Sequence, residues 1–248
     1  MHSFDQTPDR PQPFGFKVNW LALKTSDPLA VVDALDLKET TPANWESGLA
    51  VVYGYDPWIF VSPPVGGWVL AVGVSLPYPT LETQHDIGRK FDAMFSHLMS
   101  RFTDVQFYGS HRVVDFVAWA RAIDGRPVRI FAYAGGGDCV LTNIGEQTPE
   151  EAKLRFANLT GLSPLEANDE LFRLAEEQRA EQDRLVASGL SRREAIARTR
   201  QVGPKSFPGE CDVVDLAGMW SINPMDLPEQ DHPVSVGWVA RLPENLVQ

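Results

Sequence analysis

Asp124-Gly125 is the strongest short hairpin signal in the chain, and it constrains the fold more than any other feature. It joins two apolar runs, 113–122 and 128–134, that read as strands. A strand at 105–108 precedes them. Another at 139–142 follows Gly135-Gly136-Gly137-Asp138, which reads as a turn. Strands in such quick succession pair antiparallel. Before them, 81–102 reads as one amphipathic helix, with Ile87, Phe91, Met94, Phe95, Leu98, Met99 and Phe102 on a single stripe and Thr80 as its N-cap. The expected fold is α+β: an antiparallel sheet with a long amphipathic helix packed flat on it.

The rest of the chain fits one domain spanning 1–248. Residues 1–13, with Pro8, Pro11 and Pro13, read as a flexible lead-in. A strand is expected over 14–25, with Phe14, Phe16, Val18 and Trp20 on one face. Ser26-Asp27-Pro28 opens a short helix, and Thr41-Pro42 a second one carrying Trp45, Leu49 and Val52. Strands at 58–61 and 68–74 form a hairpin through a Pro- and Gly-rich loop. Residues 163–203 read as a helical insertion. Eight acids and seven arginines accompany a thin stripe of Leu171, Leu174, Leu185 and Ile196, with a break at Ser188-Gly189 and a capping box from Ser191 to Glu194. A projecting helical pair is expected there. A helix at 210–220 and a strand at 234–240 close the chain.

Charge narrows the function classes. The chain has 248 residues, 33 acids and 22 bases, for a net charge of −11. Such a chain has no excess of cations with which to displace the counterions of a phosphate backbone, so no nucleic-acid partner is expected. The N-terminus lacks the pattern of a signal peptide, and no apolar run is long enough to span a bilayer. Cys139 and Cys211 fit a reduced protein, and the expected compartment is the cytoplasm.

A search for chemistry finds no catalytic, cofactor or metal constellation. The histidines are His2, His85, His97, His111 and His232. Glu82 and His85 share a helical spacing but lack a third ligand. The glycine run 135–137 leads into a strand rather than into a helix N-terminus, so it is no phosphate cradle. Ser75 and Ser110 do not stand in G-x-S-x-G, and Ser110 and His111, adjacent in a strand, face opposite sides.

The acids themselves are unevenly placed. Residues 26–56 hold six against Lys38, and residues 207–248 hold seven against Arg241, so the remainder is neutral as a whole. Within the second segment, Glu210, Asp212, Asp215, Asp226, Glu229 and Asp231 are the candidate contact residues for a basic partner. Trp220, with Met225 and Leu227, is a candidate apolar anchor.

Several phrases carry a family resemblance. They are Trp45-Glu46-Ser47-Gly48-Leu49, Val61-Ser62-Pro63-Pro64-Val65 with Gly67-Trp68-Val69-Leu70, the run from Val105 through Tyr108-Gly109-Ser110-His111-Arg112 to Val114, Ala118-Trp119-Ala120-Arg121, and the stretch from Asp212 to Pro224. With these the chain resembles bacterial immunity proteins paired with type VI secretion effectors of nuclease type, over most of its length outside 163–203. None of the phrases is a catalytic signature, so the resemblance assigns no residue a role. It implies a protein that is not an enzyme, takes no cofactor, and neutralises a cognate basic toxin by protein–protein contact. Self-association into a homodimer stays open. So do two other classes: a small hydrolase-like enzyme without a recognisable motif, and a regulatory module for a small ligand.

Overall fold

A computed structural model describes residues 4–54, 56–81, 86–135 and 140–247. Within them the strands form one antiparallel sheet of nine. Their order is β2 (Lys38–Ala43), β9 (Gly237–Arg241), β3 (Trp58–Val61), β4 (Val69–Val72), β1 (Val18–Leu23), β5 (Asp104–His111), β6 (Phe116–Ile123), β7 (Arg126–Tyr133) and β8 (Val140–Gly145). The α+β expectation holds. Asp124 and Gly125 both take positive φ, 48° and 75°, and pair Ile123 with Arg126 across the β6–β7 hairpin.

Both faces of the sheet are covered, which is why β1 is buried along its whole length. Side chains alternate between the faces. Val18, Trp20, Tyr108, Trp119 and Phe131 lie on one, beneath α2 (Trp45–Val52), α7 (Glu210–Trp220) and the start of α5 (Pro164–Ala187). Leu21, Phe107, Ala118 and Ala120 lie on the other, beneath α1 (Pro28–Ala34) and α3 (Ile87–Arg101). The middle of the expected α3 stripe is buried, at Phe91, Met94, Phe95 and Leu98, while Ile87, Met99 and the C-cap Phe102 are half-buried. Phe91 stacks on Phe95 and meets Phe107 edge-on, each with centroids 5.2 Å apart.

Four expectations need correction. The helix expected from Thr41 starts at Trp45, with Asn44 Oδ1 accepting from Ser47 N at 3.0 Å. Thr41 and Pro42 belong instead to β2, opposite Val239 and Trp238. Pro42 marks an edge strand, where a missing N–H does no harm. Thr80 does not cap α3, which begins at Ile87. The Thr80 carbonyl instead lies so close to Gly88 that a Cβ there would be 2.0 Å from it. Residues 82–85, in the expected first turn, lie outside the described residues.

The described part of the lead-in, residues 4–13, is tied down rather than loose. The Asp9 carboxylate accepts from the amides of Trp45 and Glu46, at 2.8 and 3.0 Å, at the start of α2. Phe4 packs edge-on to Trp58. Finally, the helical insertion projects only in part. Both its helices open with capping boxes, Ser163/Glu166 for α5 and Ser191/Glu194 for α6 (Arg192–Gln201). Yet Ala167, Leu171 and Leu174 dock the first half of α5 onto the core, and only the later turns of α5 and α6 stand clear of it.

Candidate partner-binding site

The acidic C-terminal segment folds around α7, whose bounds match the expected helix. Asp212 accepts from Gly209 N at 2.8 Å and places its carboxylate in the first turn, where the helix dipole favours it. Val213, Val214, Leu216, Ala217 and Trp220 turn inward, leaving Asp215, Gly218 and Met219 exposed. After the helix, Leu227 anchors a short 3-10 turn, Leu227–Glu229, in the core.

This geometry divides the candidate contact residues. Asp215 and Asp226 line one open groove of about 510 Å³, with Met219, Asn223 and Gln230 on its walls and Gly66 of the β3–β4 loop at its edge. Asp212 lies close enough to act on Asp215 but is itself ion-paired with Lys205. The Asp215 carboxyl is held above its ordinary value of 3.8, first by partial burial and then by the negative charges of Asp212 and Asp226, against which Lys205 works. Glu210 points elsewhere, 3.7 Å from Arg112. Glu229 and Asp231 are exposed on the following segment and do not line the groove.

Trp220 is not available as a surface anchor. It is 5% exposed, tilts against Tyr108 at 5.9 Å, and carries the Arg121 guanidinium over its ring at 5.6 Å. Leu227 is fully buried. The apolar surface beside the acids comes from Met225, 36% exposed as expected, and from Met219, 45% exposed, which the sequence reading did not single out. Its place one position past the inward stripe of α7 is the signal for it.

The other acidic segment does not join this surface through α1. Asp27 caps α1, and Asp33 pairs with Arg101 of α3, on the opposite face of the sheet. The remaining chemistry candidates take structural places. Ser110 is buried and donates to the Gly15 carbonyl at 3.0 Å, while His111 is exposed. Glu82, His85, Gly136, Gly137, Asp138 and Cys139 lie outside the described residues. Among the described residues, no group of three or more His, Cys, Asp or Glu side chains is placed to hold a metal ion. No described helix is long and apolar enough to cross a membrane.

A buried ionic cluster was missed by the sequence reading. Arg129 and Glu151 pair at 3.0 Å with 3% and 1% exposure. Glu151 also accepts from Trp119 Nε1 at 2.9 Å and from Thr148 N at 2.7 Å. Arg129 donates on to Asn143 and to the Ile144 carbonyl. Thr148-Pro149-Glu150-Glu151 is a capping-box sequence for α4 (Pro149–Lys153), the one local signal that pointed here. With both oxygens of Glu151 engaged, the cluster pins α4 to β6, β7 and β8.

In comparisons with known proteins, no family model, no curated protein and no solved structure matches this chain. The resemblance to immunity proteins therefore rests on the sequence phrases alone.

Proposed function

We propose that this protein is an immunity protein, which binds a basic secreted toxin of nuclease type through the α7 groove and neutralises it by contact. The observation that carries the reading is the grouping of Asp215 and Asp226 with exposed Met219 in one groove, with exposed Met225 next to Asp226 in the chain. Asp215 is destabilised as an anion there, first by partial burial and then by its like-charged neighbours. A cation supplied by a partner relieves that repulsion, and the methionines offer adaptable apolar contact. A nuclease carries positive charge where it meets its polyanionic substrate, so an acidic cover fits it and speeds encounter. The reading needs no cofactor and places the protein in the cytoplasm, where it would meet an incoming toxin. The test is neutralisation in cells: expression of a basic toxin encoded beside this chain should kill, and co-expression of this chain should rescue growth. Rescue that is lost in D215K/D226K supports the reading. Absence of rescue by the native chain contradicts it.

A further inference from the structure

A basic cavity lies at the foot of the α5–α6 pair of this acidic chain. There the two helices, the end of α4 and the 204–209 segment bound a cleft of about 730 Å³, within the range of small-molecule sites. Arg155, Arg200 and Lys205 line it against a single carboxylate, Asp212, so the lining is net positive in a chain of net charge −11.

The cleft's own pairing leaves cationic donors over. Lys205 ion-pairs with Asp212. Arg155 gives an Nη2 hydrogen to the Arg200 carbonyl near the C-terminus of α6, which offsets the partial negative charge of that end. Among the described residues, neither Arg155 nor Arg200 has a carboxylate partner. The position of Arg155 is itself unusual. Its backbone is left-handed, with φ of 61°, at the residue after the α4 C-cap. There Arg155 N bonds to the Ala152 carbonyl and Phe156 N to that of Glu151. Glycine is the common residue at this place in such a turn. An arginine there takes on backbone strain and brings a guanidinium to the cleft.

The remaining lining is suited to an organic group. The Phe207 ring is fixed between Tyr133 and Phe172, at 5.3 and 5.6 Å, and with Pro204 it forms an apolar wall. Ser206 and Gln178 add polar atoms beside it. The volume exceeds that of a bare inorganic anion. Two guanidinium forks and an ammonium also offer more donors than one carboxylate accepts, whereas a phosphate dianion presents three oxygens.

We propose that this cleft binds a small phosphomonoester with a planar organic part, of the nucleoside monophosphate class. Arg155 and Arg200 take the dianion, and Phe207 with Pro204 takes the planar group. This site is separate from the α7 groove, and the assignment does not rest on toxin neutralisation.

Calorimetric titration of the full chain with AMP, inorganic phosphate and adenosine tests it. AMP should bind saturably, and more tightly than either phosphate or adenosine. R200E should weaken AMP binding by about tenfold or more, because it removes a charge-assisted contact and introduces repulsion. R193E makes the same charge change on the same helix outside the cleft lining, and should leave most of the affinity. Arg200 and Arg193 are both exposed, so both variants should keep the native unfolding midpoint. No saturable AMP binding at millimolar concentration would overturn the proposal, as would equal loss in R200E and R193E. Phosphate binding as tightly as AMP would overturn the assignment of a planar group.

Discussion

Glu151 and Asp215 lie on helices that touch, α4 and α7, over the same face of the sheet, and their charges are answered in opposite ways. Glu151 is buried, and Arg129, the Trp119 indole and the Thr148 amide together satisfy both its oxygens. Asp215 faces the groove, and its ionisation is opposed first by partial burial and then by the charges of Asp212 and Asp226. The difference separates a carboxylate fully answered by partners inside the chain from one that has no ion pair among the described residues. Removing the first should damage the fold, and removing the second should damage only binding.

The largest effect should come from the buried partner. Glu151→Ala leaves Arg129 uncompensated in the core and should cost about 3–5 kcal/mol in urea unfolding. A loss below about 1 kcal/mol would show that water reaches Arg129 and that the cluster is not the pin described above. Next in size is the affinity for a basic partner. D215K/D226K should weaken it by about tenfold or more, since like charges are then opposed across the contact. Thr148→Ala removes the hydroxyl that accepts from Glu151 N and should cost about 1 kcal/mol. It tests whether the capping box adds to the ionic cluster or merely accompanies it.

Local signals in the sequence survive into the structure wherever the interacting residues are close in the chain. Asp124-Gly125 closes its hairpin, Glu194 completes its box with Ser191, and the apolar spacing of 210–220 places Asp215 and Met219 on the outer face of α7. What could not be read were pairings across long separations. Asp9 caps α2 from 36 residues away. Pro42 resembles a helix opener until β9 supplies the partner strand that makes it an edge residue. Trp220 looks like an anchor because an aromatic beside acids suits an interface, and only Tyr108 and Arg121 reveal that it is core. Of the six candidate acids only Asp215 and Asp226 line the α7 groove, because which face an acid reaches after the helix depends on the fold around it.

The smallest effect expected is on the pH dependence of stability. In the folded chain the Asp215 carboxyl is raised, so the native state binds that proton more tightly than the unfolded one. The ionised group therefore detracts slightly from stability at neutral pH. That deficit should fade as pH falls through its folded value, above the ordinary 3.8. Asp215→Asn should accordingly be neutral or stabilising at pH 7, by no more than about 0.5 kcal/mol. Its advantage over the native chain should shrink toward pH 4, as urea midpoints at the two pH values would reveal. Binding of a basic partner should show the reverse trend, weakening on acidification in the native chain more than in the asparagine variant.

Contact through the α7 groove can be measured by titrating the native chain and D215K/D226K against a purified basic toxin encoded beside it, with urea unfolding followed on the same preparations. The affinity should fall by about tenfold or more while the unfolding free energy moves by no more than about 0.5 kcal/mol. Unchanged affinity in that variant, with binding lost when the α5–α6 pair is trimmed beyond Leu174, would place the contact on the helical pair and contradict contact through the groove.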